Sequence, residues 1–173
     1  MENAILFLCD IYGTIEGKIA NTEADYSELN NLLNLISEQN TSSKIIFTLV
    51  SSENVEKVKQ TLYELKNHLK NNVYFKKQFY EKGYILDNIH VETISGKCNQ
   101  IIDYVQELKE NTNLKMIYYA DDSILFQTYV REIFDFKGIE IPLIPIISIE
   151  KIGLKELNKL INTEIIEKNI HNK

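Results

Sequence analysis

The sequence predicts an α/β fold, and two observations carry that prediction. Apolar runs without polar alternation recur at Ala4–Cys9, Lys44–Val50 and Lys115–Ala120, as in strands buried on both faces. Between them lie stretches whose leucines and isoleucines repeat at three- and four-residue spacing, the mark of amphipathic helices. Strand and helix alternating in this way give a mostly parallel sheet with helices on both faces, a Rossmann-like arrangement. The 173 residues suit a single domain with a full core, and no repeat, low-complexity tract or linker divides them. Residues 1–166 are read as that domain and residues 167–173 as a polar tail.

The first strand ends at Asp10-Ile11-Tyr12-Gly13-Thr14, and a short polar flap follows over residues 15–21. Thr22-Glu23-Ala24-Asp25 reads as a helix start with acidic residues in its first turn. Leu29, Leu32, Leu33 and Ile36 supply that helix's buried face, and Asn40-Thr41-Ser42-Ser43 ends it. The second strand closes on Ser51 and Ser52, and Ser52 is suited to cap a helix buried through Val55, Val58, Leu62, Leu65 and Leu69. Between residues 71 and 93 the pattern weakens to two strand pieces, Val73-Tyr74-Phe75 and Tyr84-Ile85-Leu86, around Gly83. A helix is then expected over Gly96–Glu110, burying Ile101, Ile102, Val105 and Leu108. The next strand runs into Asp121-Asp122-Ser123, and a helix with Leu125, Tyr129 and Ile133 inward follows it. Pro142 and Pro145 assign Ile139–Ile147 to the sheet edge, since proline donates no ladder hydrogen bond. Leu154, Leu157, Leu160 and Ile161 outline a last helix.

Composition narrows the function classes. A net charge of −6 disfavours general nucleic-acid binding, because phosphate backbones reward excess lysine and arginine. Arg131 is the sole arginine, so no arginine cluster exists for forked recognition of phosphate or carboxylate. Two cysteines, Cys9 and Cys98, make no disulfide framework. Cys9 reads as a small buried apolar residue; Cys98 follows a lysine, a neighbour that lowers a thiol pKa, and a reactive role for it is the lesser reading. The start of the sequence lacks secretory-signal features and no apolar run reaches membrane-spanning length, so a cytoplasmic location is expected.

Three expected strands end in oxygen-bearing side chains: Asp10 with Thr14, then Ser51, then Asp121 with Asp122. In an open parallel sheet those ends share one edge, where ligands bind. Carboxylates from two strands make a hard-oxygen site suited to Mg²⁺. Gly13 permits a turn whose amides face an anion, and the hydroxyls of Thr14, Ser51 and Ser52 suit phosphate oxygens. Lys97, at the expected start of a helix, is placed to neutralise developing charge. The histidines at 68, 90 and 171 show no metal-ligand spacing, and no Gly-x-Ser-x-Gly elbow is present.

With these residues in hand, the chain resembles the haloacid dehalogenase-like hydrolases. Their first motif, an apolar strand into Asp-x-Asp-Gly-Thr, is matched by Phe7-Leu8-Cys9-Asp10-Ile11-Tyr12-Gly13-Thr14. The second, a strand ending in Thr or Ser, is matched by Phe47-Thr48-Leu49-Val50-Ser51. Ser95-Gly96-Lys97-Cys98 matches the third, a lysine at a helix start, and Tyr119-Ala120-Asp121-Asp122-Ser123 the fourth. The resemblance covers residues 4 to 147. It implies that Asp10 is a nucleophile forming an aspartyl intermediate and that Thr14 and Ser51 hold the transferring group. Lys97 would stabilise its charge, and Asp10, Asp121 and the Tyr12 carbonyl would bind Mg²⁺. Asp122 would be a further ligand or the partner of Lys97.

One position departs from the family pattern. Tyr12 stands where the general acid/base aspartate is usual, a group worth about 10²–10⁴-fold in rate. A tyrosine with an ordinary pKa near 10 donates a proton but is a poor base at neutral pH. Three readings follow: a slow Mg²⁺-dependent phosphatase, a catalytically silent fold kept as a binding or regulatory module, and a 2-haloacid dehalogenase-like hydrolase. The last class shares Asp-x-Tyr-Gly-Thr but uses an arginine near its substrate and a helical cap. Here fewer than 30 residues separate Thr14 from Lys44, which leaves no room for a large cap. An uncapped crevice implies a phosphorylated substrate that can be macromolecular.

Overall fold

The computed structural model describes residues 1–11, 14–15, 26–51, 55–69, 73–80 and 90–147. In chain order these form β1 (Glu2–Cys9), α1 (Tyr26–Gln39), β2 (Lys44–Ser51), α2 (Val55–His68), β3 (Val73–Tyr80), α3 (His90–Asn111), β4 (Thr112–Asp121), α4 (Ile124–Phe136) and β5 (Leu143–Ile147). All four strand pairings are parallel, in the order β3-β2-β1-β4-β5, so the α/β Rossmann-like prediction holds. The flap, the start of the first helix, Tyr84–Leu86, the last helix and the tail expected from the sequence lie outside the described residues, as do Tyr12, Gly13 and Ser52.

Strand order steps outward from β1 to β3 and then returns to place β4 on the other side of β1. Because parallel crossovers are right-handed, the reversal puts the later helices on the opposite face. The core follows suit in two layers. Ile5, Phe7 and Cys9 of β1 pack with Leu29, Leu33 and Ile36 of α1 and with Val58 and Leu65 of α2. Ala4, Leu6 and Leu8, pointing the other way, pack with Ile101 and Val105 of α3 and Val130 and Phe134 of α4. Phe7 stacks on Phe47 at 5.5 Å and on Tyr118 at 6.2 Å, tying the three central strands together on the first face.

A one-residue irregularity interrupts the pairing of β1 with β4. Ala4 pairs with Leu114 but Ile5 with Met116, so Lys115 is extra. Leu114 faces α3 and α4, whereas Met116 packs toward α1 and α2, and Ile117 and Tyr119 face α3 and α4 again. Such a bulge absorbs one extra residue. Beyond it Asp121 lies on the same face of the sheet as Asp10. Deleting Lys115 is expected to remove only the bulge, leaving Met116 opposite Ile5 and Asp121 on the face of Asp10. Divalent-cation binding, read by calorimetric titration, should therefore persist.

Three helix and strand boundaries differ from expectation. The stretch Val73-Tyr74-Phe75 continues to Tyr80, an edge strand in which the polar Lys76-Lys77-Gln78 is tolerated. Helix α3 begins at His90, so Lys97 lies about two turns inside it instead of opening it. On α4 the inward residues are Gln127, Val130 and Phe134; Tyr129 and Ile133 are partly buried, and Leu125 is exposed. β5 is the opposite edge strand, as Pro145 within it requires. Among the described residues no helix is long and apolar enough to cross a membrane.

Candidate functional site

The sheet's reversal lies between β1 and β4, and in open parallel sheets the crevice forms at that point, beyond the strands' carboxyl ends. Asp10 follows β1 directly, its amide continuing the ladder to the Ala120 carbonyl at 2.9 Å. Asp121 closes β4 and Asp122 comes next. One carboxylate oxygen from each of Asp10, Asp121 and Asp122 lies within 4.8 Å of the other two. Asp10 and Asp121 are buried and Asp122 is half-buried.

Lys97 reaches them from α3. Its ammonium donates to Asp121 Oδ2 at 2.8 Å and to Asp10 Oδ1 at 3.3 Å, and it sits 4.5 Å from the centre of the Phe126 ring. An ammonium has three N–H groups, and these three neighbours account for them. Lys97 is therefore held by Asp10 and Asp121. A lysine in the body of α3 can do this because two turns of helix precede it and its long chain runs along the sheet face.

Asp121 is fixed on both oxygens. Oδ2 accepts from Lys97 and from the Tyr119 hydroxyl at 2.6 Å, while Oδ1 accepts from the Ser123 amide at 2.9 Å. Ser123 in turn caps α4 by accepting from the Phe126 amide. Gln127 braces the same corner, its side-chain amide donating to the Tyr119 carbonyl at 2.6 Å and to the Ile146 carbonyl at 3.3 Å. Neither Tyr119 nor Gln127 was singled out by sequence reasoning. Tyr119 had a readable signal: two residues before Asp121 on a strand, it shares that residue's face.

Burial raises the Asp10 pKa to about 7; Lys97 opposes that rise, and Asp121 and Asp122 add to it. Lys97 is pulled down by burial, but Asp10 and Asp121 outweigh this and hold it above its ordinary value. Burial also pushes the Cys98 thiol up to about 12, against the pull of Lys97, which speaks against a reactive role for that cysteine. Cys9 is buried and its thiol is likewise raised by burial, with Asp10 and Asp121 adding to the rise.

The raised Asp10 value has a consequence for stability. Native Asp10 keeps a proton that the unfolded chain, near 3.8, has released. The stabilising contribution is complete below about pH 4 and disappears as pH rises through about 7. Metal-free wild type is thus expected to lose about 2–3 kcal/mol from this group between pH 5 and pH 8. Asp10→Asn should remove that slope, which urea titrations at the two pH values would measure.

The residues suit a divalent cation on charge as well as distance. Three carboxylates against one ammonium leave two negative charges when all are ionised. Oxygens across an octahedral Mg²⁺ stand about 4.2 Å apart and those around Ca²⁺ up to about 5.2 Å, so a spread of 4.8 Å needs only small side-chain adjustment. The cluster can hold a metal ion.

Of the other expected site residues, Thr14 and Ser51 are among the described residues, and both fall on the same sheet edge. Thr14 is buried in the turn after β1, its amide donating to the Ile11 carbonyl at 3.2 Å. Ser51 is the buried last residue of β2. Of the carboxylates beside them, Asp121 is fully buried and Asp10 only 8 % exposed. Arg131 lies elsewhere, on α4, donating to the Leu143 carbonyl at the amino end of β5.

No family model matches the chain, and no curated protein or solved structure matches it either.

Proposed function

We propose that the chain is a Mg²⁺-dependent hydrolase of phosphate esters that works through an aspartyl-phosphate on Asp10, like the haloacid dehalogenase-like enzymes its motifs resemble. The observation that carries this reading is the convergence of Asp10, Asp121 and Asp122 at the sheet's reversal point, with the Lys97 ammonium bridging the first two. Phosphoryl transfer is mostly positioning and charge stabilisation, and such a cluster supplies both.

Asp10, Asp121 and Asp122 would hold the ion, which when bound supplies charge neutralisation for the phosphoryl oxygens. An oxygen of ionised Asp10 attacks phosphorus and the ester oxygen departs with its electron pair, taking a proton from Tyr12 or water. Water then attacks the acyl phosphate, releasing phosphate and regenerating the carboxylate. Lys97 offsets charge beside Asp10, and Thr14 and Ser51 receive phosphoryl oxygens. Tyr12 supplies no effective base for the water, so turnover is slow. Because the nucleophile must be ionised and a cation beside it favours that form, activity with Mg²⁺ should set in at a pH below the metal-free Asp10 value of about 7.

A second reading is favoured by Lys97 itself. An ammonium already bridging Asp10 and Asp121 gives them a counter-ion without a metal, as a silent binding module would need. A dehalogenase reading is disfavoured, since Arg131 sits at the amino end of β5, away from Asp10. Hydrolysis of p-nitrophenyl phosphate with Mg²⁺ separates the first two. The hydrolase predicts slow turnover that Asp10→Asn abolishes; no turnover by either protein favours the module.

A further inference from the structure

We infer that Tyr119 is a positioning residue that sets which divalent cation the site accepts, holding Asp121 as a one-oxygen ligand and thereby favouring Mg²⁺ over Ca²⁺. The inference rests on the proposed metal site and adds to it a residue that touches no ion. Each carboxylate oxygen has two lone-pair directions. On Asp121 Oδ2 one is taken by Lys97 at 2.8 Å and the other by the Tyr119 hydroxyl at 2.6 Å. On Oδ1 the Ser123 amide takes one at 2.9 Å, which leaves one direction for an ion.

Ca²⁺ takes six to eight oxygens and often a bidentate carboxylate, whereas Mg²⁺ takes six at strict octahedral geometry and is served by single oxygens. With Tyr119 in place Asp121 has a single oxygen to give. Without the hydroxyl, one direction on Oδ2 is released and both oxygens can turn to a larger ion. Tyr119 cannot easily drift from this role. Its ring is buried against α3 and α4, its carbonyl is held by Gln127, and its backbone is in β4 between β1 and β5.

The test is calorimetric titration of MgCl₂ and, separately, CaCl₂ into wild type and Tyr119→Phe. The substitution should weaken Mg²⁺ binding by about 10–100-fold, as loss of an outer partner of a metal ligand does. Ca²⁺ affinity should hold or rise, so the preference between the ions moves by about tenfold or more. Equal loss for both ions would mark a merely structural residue and overturn the inference; unchanged affinities would overturn it as well. A second measurement uses the wild-type chain alone and so does not depend on the variant folding. By proton NMR of tyrosine-labelled protein, the Tyr119 hydroxyl proton should stay protected from exchange when Mg²⁺ is added, and its loss on loading would mean that Asp121 swings both oxygens to the ion. Wild type binding neither cation would refute the metal site itself, an outcome distinct from binding that Tyr119→Phe leaves unaltered.

Discussion

Replacing Lys97 by methionine should destabilise the metal-free protein by about 3–5 kcal/mol, the usual loss when one partner of a buried ion pair is removed. Lys97 is 3 % exposed and Asp121 fully buried, so solvent offers the stranded carboxylates little help. Against a total stability of about 5–15 kcal/mol for a domain, the variant would be close to unfolding. The loss should depend on pH. Near pH 5 Asp10 carries a proton, because its value lies at about 7, and needs no counter-ion. Removing Lys97 lifts the Asp10 value further, because Lys97 is what opposes its rise. Near pH 8 the variant must therefore hold Asp10 protonated or leave it charged without a counter-ion, and the loss is greater. Millimolar Mg²⁺ should restore part of it by binding only the folded chain. Urea unfolding of wild type and Lys97→Met at pH 5 and 8, with and without Mg²⁺, measures all three effects. A loss below about 1 kcal/mol, as for exposed pairs, would mean that Lys97 is not the counter-ion described here.

The second large effect concerns Tyr12. If slow turnover reflects a missing acid/base group, Tyr12→Asp should raise the hydrolysis rate by about 10²–10⁴-fold. The gain should appear in kcat rather than in substrate binding, since proton transfer acts on the transition state. A Tyr12→Phe control should fall below wild type if the phenol serves the leaving group. Turnover unchanged in Tyr12→Asp would place the rate limit elsewhere.

The layout of the sheet was legible because its central strands are unbroken apolar runs. Ala4–Cys9 and Lys44–Val50 admit no helical stripe, and each ends at a polar residue that marks the crevice edge. The same logic brings Asp10 and Asp121 to one place, since both follow strands that share the crevice edge. What was misread turns on polar residues in buried roles. Gln127 is inward-facing because its amide satisfies the carbonyls of Tyr119 and Ile146, yet its polarity displaced the expected α4 stripe onto Leu125. Ser95-Gly96 imitates a helix start, while α3 begins at His90. Tyr119 shares a strand face with Asp121 two residues on, a spacing visible in sequence but common to any strand tyrosine, so its hydroxyl bond to Asp121 is found only in the structure. The bulge has no signature in sequence: Leu114-Lys115-Met116 alternates like any strand.

The central claim is that Asp10 and Asp121, from adjacent strands, grip one divalent ion. Crystals grown with MnCl₂ and measured at a wavelength where manganese scatters anomalously test it most directly. The account predicts one strong anomalous peak per chain, about 2.2 Å from an oxygen of each of Asp10 and Asp121 as expected for a hard cation of this size. The contradicting result is a map without density between them, in which Lys97 still bridges the two carboxylates at millimolar manganese.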